Sequence, residues 1–234
     1  MVNDAFVIPA PQIASLAVVG TDKRFPVRRI YCVGKNYLSH VKEMGEDERA
    51  PPVIFQKPAD SIVEDGATIP YPVMTDNYHY ELELVVALRS GGYNIPEIEA
   101  LDHVYGYGIG LDMTRRDIQL ADIKRGHPWE PGKSFDQSCP CGPIRRAEET
   151  GHVDKGRIQL MVNGAIKQDA DLELMIWRTP EIIARLSQQY RLCPGDLILT
   201  GTPSGVGPVV PGDEMVGTIE GLGTLTVRIG PPVA

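Results

Sequence analysis

Tyr80-Glu81-Leu82-Glu83-Leu84-Val85-Val86-Ala87-Leu88 alternates polar and apolar side chains as far as Leu84 and is wholly apolar from Val85. Alternation is the period of a half-buried strand, and an unbroken apolar run marks one buried on both faces. The stretch therefore predicts a strand that enters the core from its edge. Glu81 and Glu83 share one face of it, about 7 Å apart at Cα, with Tyr80, Leu82 and Leu84 on the other.

Outward from this strand, short apolar runs closed by glycine or proline recur on both sides. Ile30-Tyr31-Cys32-Val33 ends at Gly34, Val53-Ile54-Phe55 stops at Lys57-Pro58, and Val104 to Leu111 is a glycine-bearing strand. Ile158 to Val162, then Asn163-Gly164, then Ala165-Ile166-Lys167 is a hairpin signal, because Asn-Gly suits the left-handed positions of a primed turn. Pro194-Gly195-Asp196 and Pro211-Gly212-Asp213 are turns that feed the strands Leu197 to Thr202 and Glu214 to Thr218. Helical composition is confined to Ser39 to Gly45, Thr114 to Arg125 with Thr114 as cap, and Pro180 to Leu192 with Thr179 as cap. Strands outnumber helices and do not alternate with them, so the reading is an α+β, mainly β fold. Residues 1–28, with Pro9, Pro11, Pro26 and little periodicity, read as an extended N-terminal arm. Residues 29–234 read as one domain.

Composition narrows the function. A chain of 234 residues is long enough to bury a sizeable core without staples. Its 24 glycines and 20 prolines exceed the usual combined share of about 12%, which a helical bundle would not carry. The formal charge of -8, from 23 basic and 31 acidic side chains, argues against nucleic acid and against docking to anionic lipid. No basic start with a long apolar run opens the chain and no stretch of about 20 apolar residues occurs, so neither a signal peptide nor a membrane span is expected. Cys32, Cys139, Cys141 and Cys193 show no zinc spacing and read as reduced thiols of a cytoplasmic protein.

Glu81 and Glu83 alone suit the wet face of a strand. The apolar run directly after them brings them near the core, where two like charges need a cation or a raised pKa. Asp112, which closes the Val104 to Leu111 run, is either a helix cap or a third acid of the same set. Three carboxylates without His or Cys are hard donors that favour Mg²⁺, Mn²⁺ or Ca²⁺ over zinc. Arg116 and Gln119 share a helix face, and Arg116 follows Asp112 at the spacing of a surface ion pair. Lys133 lies in Pro131-Gly132-Lys133-Ser134, an ordinary setting for a solvated lysine. His40 has the best-placed acid neighbour of any histidine, Glu43, although such a pair on an exposed helix is usually inert. Gly106-x-Gly108-x-Gly110 has the wrong spacing for a dinucleotide loop, and no Gly-x-Ser-x-Gly elbow or phosphate loop occurs.

Six ordered blocks resemble the fumarylacetoacetate hydrolase family. They are Tyr31-Cys32-Val33-Gly34-Lys35-Asn36-Tyr37 with His40 and Glu43; Phe55-Gln56-Lys57-Pro58; His79-Tyr80-Glu81-Leu82-Glu83-Leu84; Gly110-Leu111-Asp112-Met113-Thr114-Arg115-Arg116-Asp117 with Gln119; Gly132-Lys133-Ser134-Phe135-Asp136; and Leu199-Thr200-Gly201-Thr202-Pro203-Ser204-Gly205-Val206-Gly207. The resemblance runs from about Arg29 to Val227. It implies a mixed β-roll or sandwich with a few peripheral helices, a homodimer, a cytoplasmic location and a Mg²⁺ or Mn²⁺ site. Carried over block by block, it implies Glu81, Glu83 and Asp112 as metal ligands, His40 and Glu43 as a water-activating pair on a lid, and Lys133, Gln119, Thr202 and Arg116 as substrate or oxyanion contacts. Lys35 stands where many members have arginine and lacks the planar fork.

Within the family the chain is most similar to short bacterial acylpyruvate hydrolases, fumarylpyruvate hydrolases in particular, through Phe25 to Tyr31 and His127 to Lys133. The reaction so implied is hydrolysis of a carbon–carbon bond in a β-diketo acid, yielding fumarate and pyruvate in gentisate-type aromatic breakdown. Oxaloacetate decarboxylation and hydroxymuconate-type isomerisation or decarboxylation would use the same metal site without an attacking water. A catalytically silent ligand-binding protein is the alternative of another class. For the group beyond the diketone, Lys35, Arg115, Lys124 and Arg125 are all candidate cations.

Overall fold

The computed structural model describes residues 6–37 and 49–232. Its larger sheet has eight strands, running in the order Val53–Lys57, Arg29–Gly34, Asp196–Leu199, Leu82–Leu88, Val104–Leu111, Cys139–Cys141 and Ile62–Glu64, with Arg145–Arg146 also paired to Val104–Leu111. A five-stranded sheet packs on it in the order Ala165–Asp171, Arg157–Val162, Glu214–Ile219, Gly223–Pro232 and Thr68–Tyr71. A three-stranded ribbon, Thr114–Arg115, Tyr78–Tyr80 and Gly207–Pro208, closes one side. No helix among the described residues is long and apolar enough to cross a membrane.

The decisive strand sits in the middle of the larger sheet. Leu82, Leu84, Val86 and Leu88 enter the main core with Ile158, Leu160, Met215, Leu225 and Val227 of the smaller sheet. Val85 and Ala87 face a second core with Ile30, Cys32, Leu197 and Leu199. Burial on both faces is why the sequence turns wholly apolar there. The strand is not continuous from Tyr80, however: Tyr78–Tyr80 belongs to the ribbon and the ladder breaks at Glu81.

Several local expectations are corrected. Thr114 does not cap a helix: it pairs with His79 in the ribbon and its hydroxyl donates to the Asp112 carbonyl at 3.0 Å. The helix itself is Arg116–Arg125, with Asp117 in its first turn and no side-chain cap. The later helix is Thr179–Gln189, so Thr179 is inside it, and Glu181 accepts from the Arg178 N–H at 2.9 Å. The hairpin holds as read, Val162 opposite Ala165, with Asn163 and Gly164 at φ 50° and 77°. Within the segment read as an extended arm, Ser15–Val18 and Thr21–Pro26 form a hairpin whose Leu16, Val18 and Phe25 cover the second core. Ser39 to Gly45, read as helical, lies wholly outside the described residues.

Candidate metal centre

The site lies at the break between the central strand and the ribbon, on the second-core face of the larger sheet. Glu83 continues the row of Val85 and Ala87 toward the start of its strand, because side chains two apart share a face. Glu81 sits in the break between strand and ribbon, and its carbonyl accepts from the Asp112 N–H at 2.8 Å. Asp112 itself follows directly on the end of the Val104–Leu111 strand, which pairs with Leu82–Leu88 so that Leu111 lies opposite Leu82. Antiparallel pairing therefore delivers all three acids to one place. They are 8%, 2% and 1% exposed respectively for Glu81, Glu83 and Asp112, and one carboxylate oxygen of each lies within 4.8 Å of the others.

Such a cluster needs counter-charge, and the chain brings three cations to it. Lys133 Nζ lies 2.6 Å from Glu81 Oε2 and 2.7 Å from Asp112 Oδ2. Lys57 Nζ forms an ion pair with Asp112 Oδ1 at 2.9 Å, while its hydrogen bonds go to the carbonyls of Met113 and Lys133. Arg116 pairs with Glu81 and donates to Gln119 Oε1 at 2.5 Å. Glu83 has no cationic partner among the described residues; it accepts the Gly201 N–H at 2.7 Å.

The electrostatics follow from this division. Burial alone would raise the Glu81 pKa, but Lys133 and Arg116 outweigh it and hold Glu81 down to about 2. Burial raises the Glu83 pKa well above the carboxylate range, reinforced by the charges of Asp112 and Glu81. Lys133, which burial would deprotonate, is instead pushed up by Asp112 and Glu81, so it stays a charged donor. A buried carboxylate set of hard donors with one uncompensated member suits a small divalent cation. The residues that would hold it are Glu81, Glu83 and Asp112.

Gly201 has a specific reason to be glycine. Its φ is 100°, and a Cβ there would lie 2.7 Å from the Asn36 Cβ and 2.9 Å from the Val33 carbonyl. Only glycine brings that N–H to Glu83. Gly201→Ala is expected to cost more than about 1 kcal/mol in denaturant unfolding. Gly66→Ala is the control, since Gly66 also has positive φ but nothing within 4 Å, and it should cost less.

The other sequence candidates divide. Gln119 and Arg116 join the cluster as described, so Arg116 is not a surface ion pair. Lys133 is 3% exposed, not solvated, because the turn at Glu130–Gly132 seats Gly132 against the Gln119 backbone. The Thr202 hydroxyl accepts from Gln168, which also takes the Leu82 N–H and so ties that loop to the central strand. His40 and Glu43 lie outside the described residues. Sequence reasoning gave no role to Lys57 or Asn36. Asn36 donates to the carbonyls of Thr200 and Trp177, fixing the chain beside Gly201 just before the His40 segment. The only signal for either was its place in a block shared with the family.

Comparison with known proteins accords with this geometry. Residues 29–230 match the fumarylacetoacetate (FAA) hydrolase C-terminal family. A fumarylpyruvate hydrolase of Ralstonia sp is 46% identical over 177 residues, 76% of this chain and 92% of that protein. The mitochondrial oxaloacetate tautomerase of Homo sapiens is 41% identical over 205 residues, 88% of this chain and 93% of that one. The crystal structure of fumarylpyruvate hydrolase from Pseudomonas aeruginosa, in complex with Mn²⁺ and pyruvate, superposes with a TM-score of 0.92 at 48% identity, covering 98% of this chain and all of that chain. With the mainly β fold and the buried acids in place, the chain belongs to the fumarylacetoacetate hydrolase family.

Proposed function

We propose that this protein is a divalent-metal-dependent hydrolase that cleaves a carbon–carbon bond in an acylpyruvate, with fumarylpyruvate as substrate and fumarate and pyruvate as products. The observation that carries the reading is the buried acid trio with Glu83 uncompensated. The chain's likeness to a relative solved with Mn²⁺ and pyruvate supports the substrate class. Glu81, Glu83 and Asp112 would hold Mg²⁺ or Mn²⁺, which would supply Lewis-acid stabilisation of developing negative charge.

The chain's own charges fit that substrate. Three buried acids face Lys57, Lys133 and Arg116, so the fully ionised cluster is formally neutral. A divalent ion leaves it at +2, which suits a keto acid carboxylate plus the negative charge that develops on cleavage. Lys133 stays protonated and can donate to an oxygen that gains charge, with Gln119 beside it. Arg116, already forked between Glu81 and Gln119, can orient a carboxylate. Thr202 follows Gly201 and offers a hydroxyl at the same edge. Neutral His40, oriented by Glu43, takes the proton of the attacking water in this scheme.

His40→Ala is expected to slow acylpyruvate hydrolysis by about 10²–10⁴-fold while Mn²⁺ still binds by calorimetry. Hydrolysis at the parent rate would remove His40 from the scheme. Oxaloacetate chemistry is the second reading, favoured by the likeness to an oxaloacetate tautomerase. It needs no attacking water. A spectrophotometric comparison of kcat/KM for fumarylpyruvate, acetylpyruvate and oxaloacetate, with and without chelator, separates the two. Preference for oxaloacetate would overturn the hydrolase.

A further inference from the structure

Beside the metal centre lies a second recess, and Lys57 is common to both. Arg115 and Arg116 are neighbours in sequence but go to different places. Arg116 reaches Glu81, whereas the Arg115 guanidinium stacks 4.2 Å over the Phe135 ring. Arg115 lines an open cavity of about 600 Å³ with Lys57, Ser134, Pro58, Pro131 and Glu130. Its buried Nε has no hydrogen-bond partner, and it makes no ion pair with any described residue. Burial lowers its pKa, yet a guanidinium remains charged at any physiological pH. A half-buried arginine whose acidic neighbours, Asp136 and Asp117, make no ion pair with it is costly unless something completes it.

The surrounding charges define what that is. Lys57 is committed to Asp112 at 2.9 Å. Asp117 is engaged by the Thr75 hydroxyl and the Asp76 N–H, and Asp136 is exposed. Glu130 is an exposed carboxylate at the rim that repels a second negative charge. The recess thus offers one planar fork, which matches a single carboxylate bidentately. Pro58 and Pro131 offer apolar walls to a short, flat hydrocarbon. A phosphate dianion would face Glu130 without a second unpaired cation among the described residues that line the recess.

We propose that this recess binds a small carboxylic acid through Arg115. The carboxylate is either the far end of a substrate held at the metal centre, which rests on the acylpyruvate reading, or a separate small acid, which does not.

The test is calorimetric titration of the metal-free full chain with crotonate, a flat monocarboxylate, and with inorganic phosphate. Crotonate is expected to bind, with phosphate weaker. Arg115→Gln should weaken crotonate by about 10- to 100-fold, and Arg115→Lys should fall between, since it keeps the charge without the fork. Glu130→Gln should tighten binding, a gain that misfolding cannot mimic. No crotonate binding, equal affinity in Arg115→Gln, or phosphate binding as tightly would overturn the proposal. The two sources separate in a second arm. If the far end of the substrate binds here, Arg115→Gln raises KM for fumarylpyruvate and leaves acetylpyruvate unchanged. If a separate acid binds, both substrates keep their KM and crotonate still binds in the presence of Mn²⁺ and pyruvate. Crotonate binding needs no turnover, so its failure leaves the hydrolase reading standing, and absence of hydrolysis leaves the binding result standing.

Discussion

Asp112→Asn is expected to destabilise the metal-free protein by about 3–5 kcal/mol. The substitution keeps the shape but removes the negative charge that both Lys57 and Lys133 face, at 2.9 Å and 2.7 Å. Lys57 is then left with backbone carbonyls alone, and Lys133 with Glu81 alone. Two buried ammonium groups cannot rehydrate without opening the core, so the cost is that of stranded charge rather than of one lost hydrogen bond. For a chain of this size each kcal/mol shifts the melting temperature by about 2–4 °C, so a fall of roughly 6–20 °C is expected by calorimetry. The double variant Asp112→Asn with Lys57→Met should recover part of that fall, because one stranded ammonium is removed along with its partner. A melting temperature within about 2 °C of the parent would mean that the acids and lysines do not face each other as described.

That dependence explains how much of the site could be read in advance. The Leu82–Leu88 strand, the Asn163-Gly164 hairpin and the acids Glu81 and Glu83 are local patterns, and local patterns survive in a sequence read alone. Asp112 joins them only through the register that sets Leu111 opposite Leu82. No spacing in the sequence encodes that register. Lys57 precedes Pro58 at the end of an edge strand, where a lysine normally reaches solvent. Its stem instead runs inward to Asp112, a tertiary choice that its neighbours do not announce. Thr114 shows the reverse error. Its type and position suit a cap, but the ribbon claimed it first through His79. The N-terminal hairpin was partly legible. Leu16 and Val18 already alternate, yet Asp22-Lys23-Arg24 on the exposed strand and the flanking prolines disguised the period.

Glu83→Gln should behave in the opposite way to Asp112→Asn, and the contrast isolates the metal function. Glu83 lies beside two other acids and makes no ion pair among the described residues, so replacing it strands no partner. Gln keeps an acceptor for the Gly201 N–H. The metal-free variant is therefore expected to be at least as stable as the parent. The pH dependence has a definite sign. Burial and the neighbouring acids raise the Glu83 pKa, so the folded parent holds a proton that an unfolded chain releases near its ordinary value of about 4.3. The stability this contributes is complete below that value and is lost as pH rises through the folded pKa. Glu81 acts in the other direction: with its pKa held at about 2, its contribution is present above the ordinary value and lost as pH falls, so it adds no decline above it. The metal-free parent should thus lose stability with rising pH over a range where Glu83→Gln does not. Mn²⁺ reverses the ranking. At a concentration of 100 times its Kd it stabilises the parent by about 2.7 kcal/mol, roughly 5–11 °C in melting temperature. Glu83→Gln should gain less than about a third of that shift at the same Mn²⁺ concentration. An equal Mn²⁺ shift in the variant would remove Glu83 from the ligand set. A metal-free variant that melts far below the parent would show that Glu83 is compensated in the folded protein, and the case for a cation among these acids would lose its electrostatic ground.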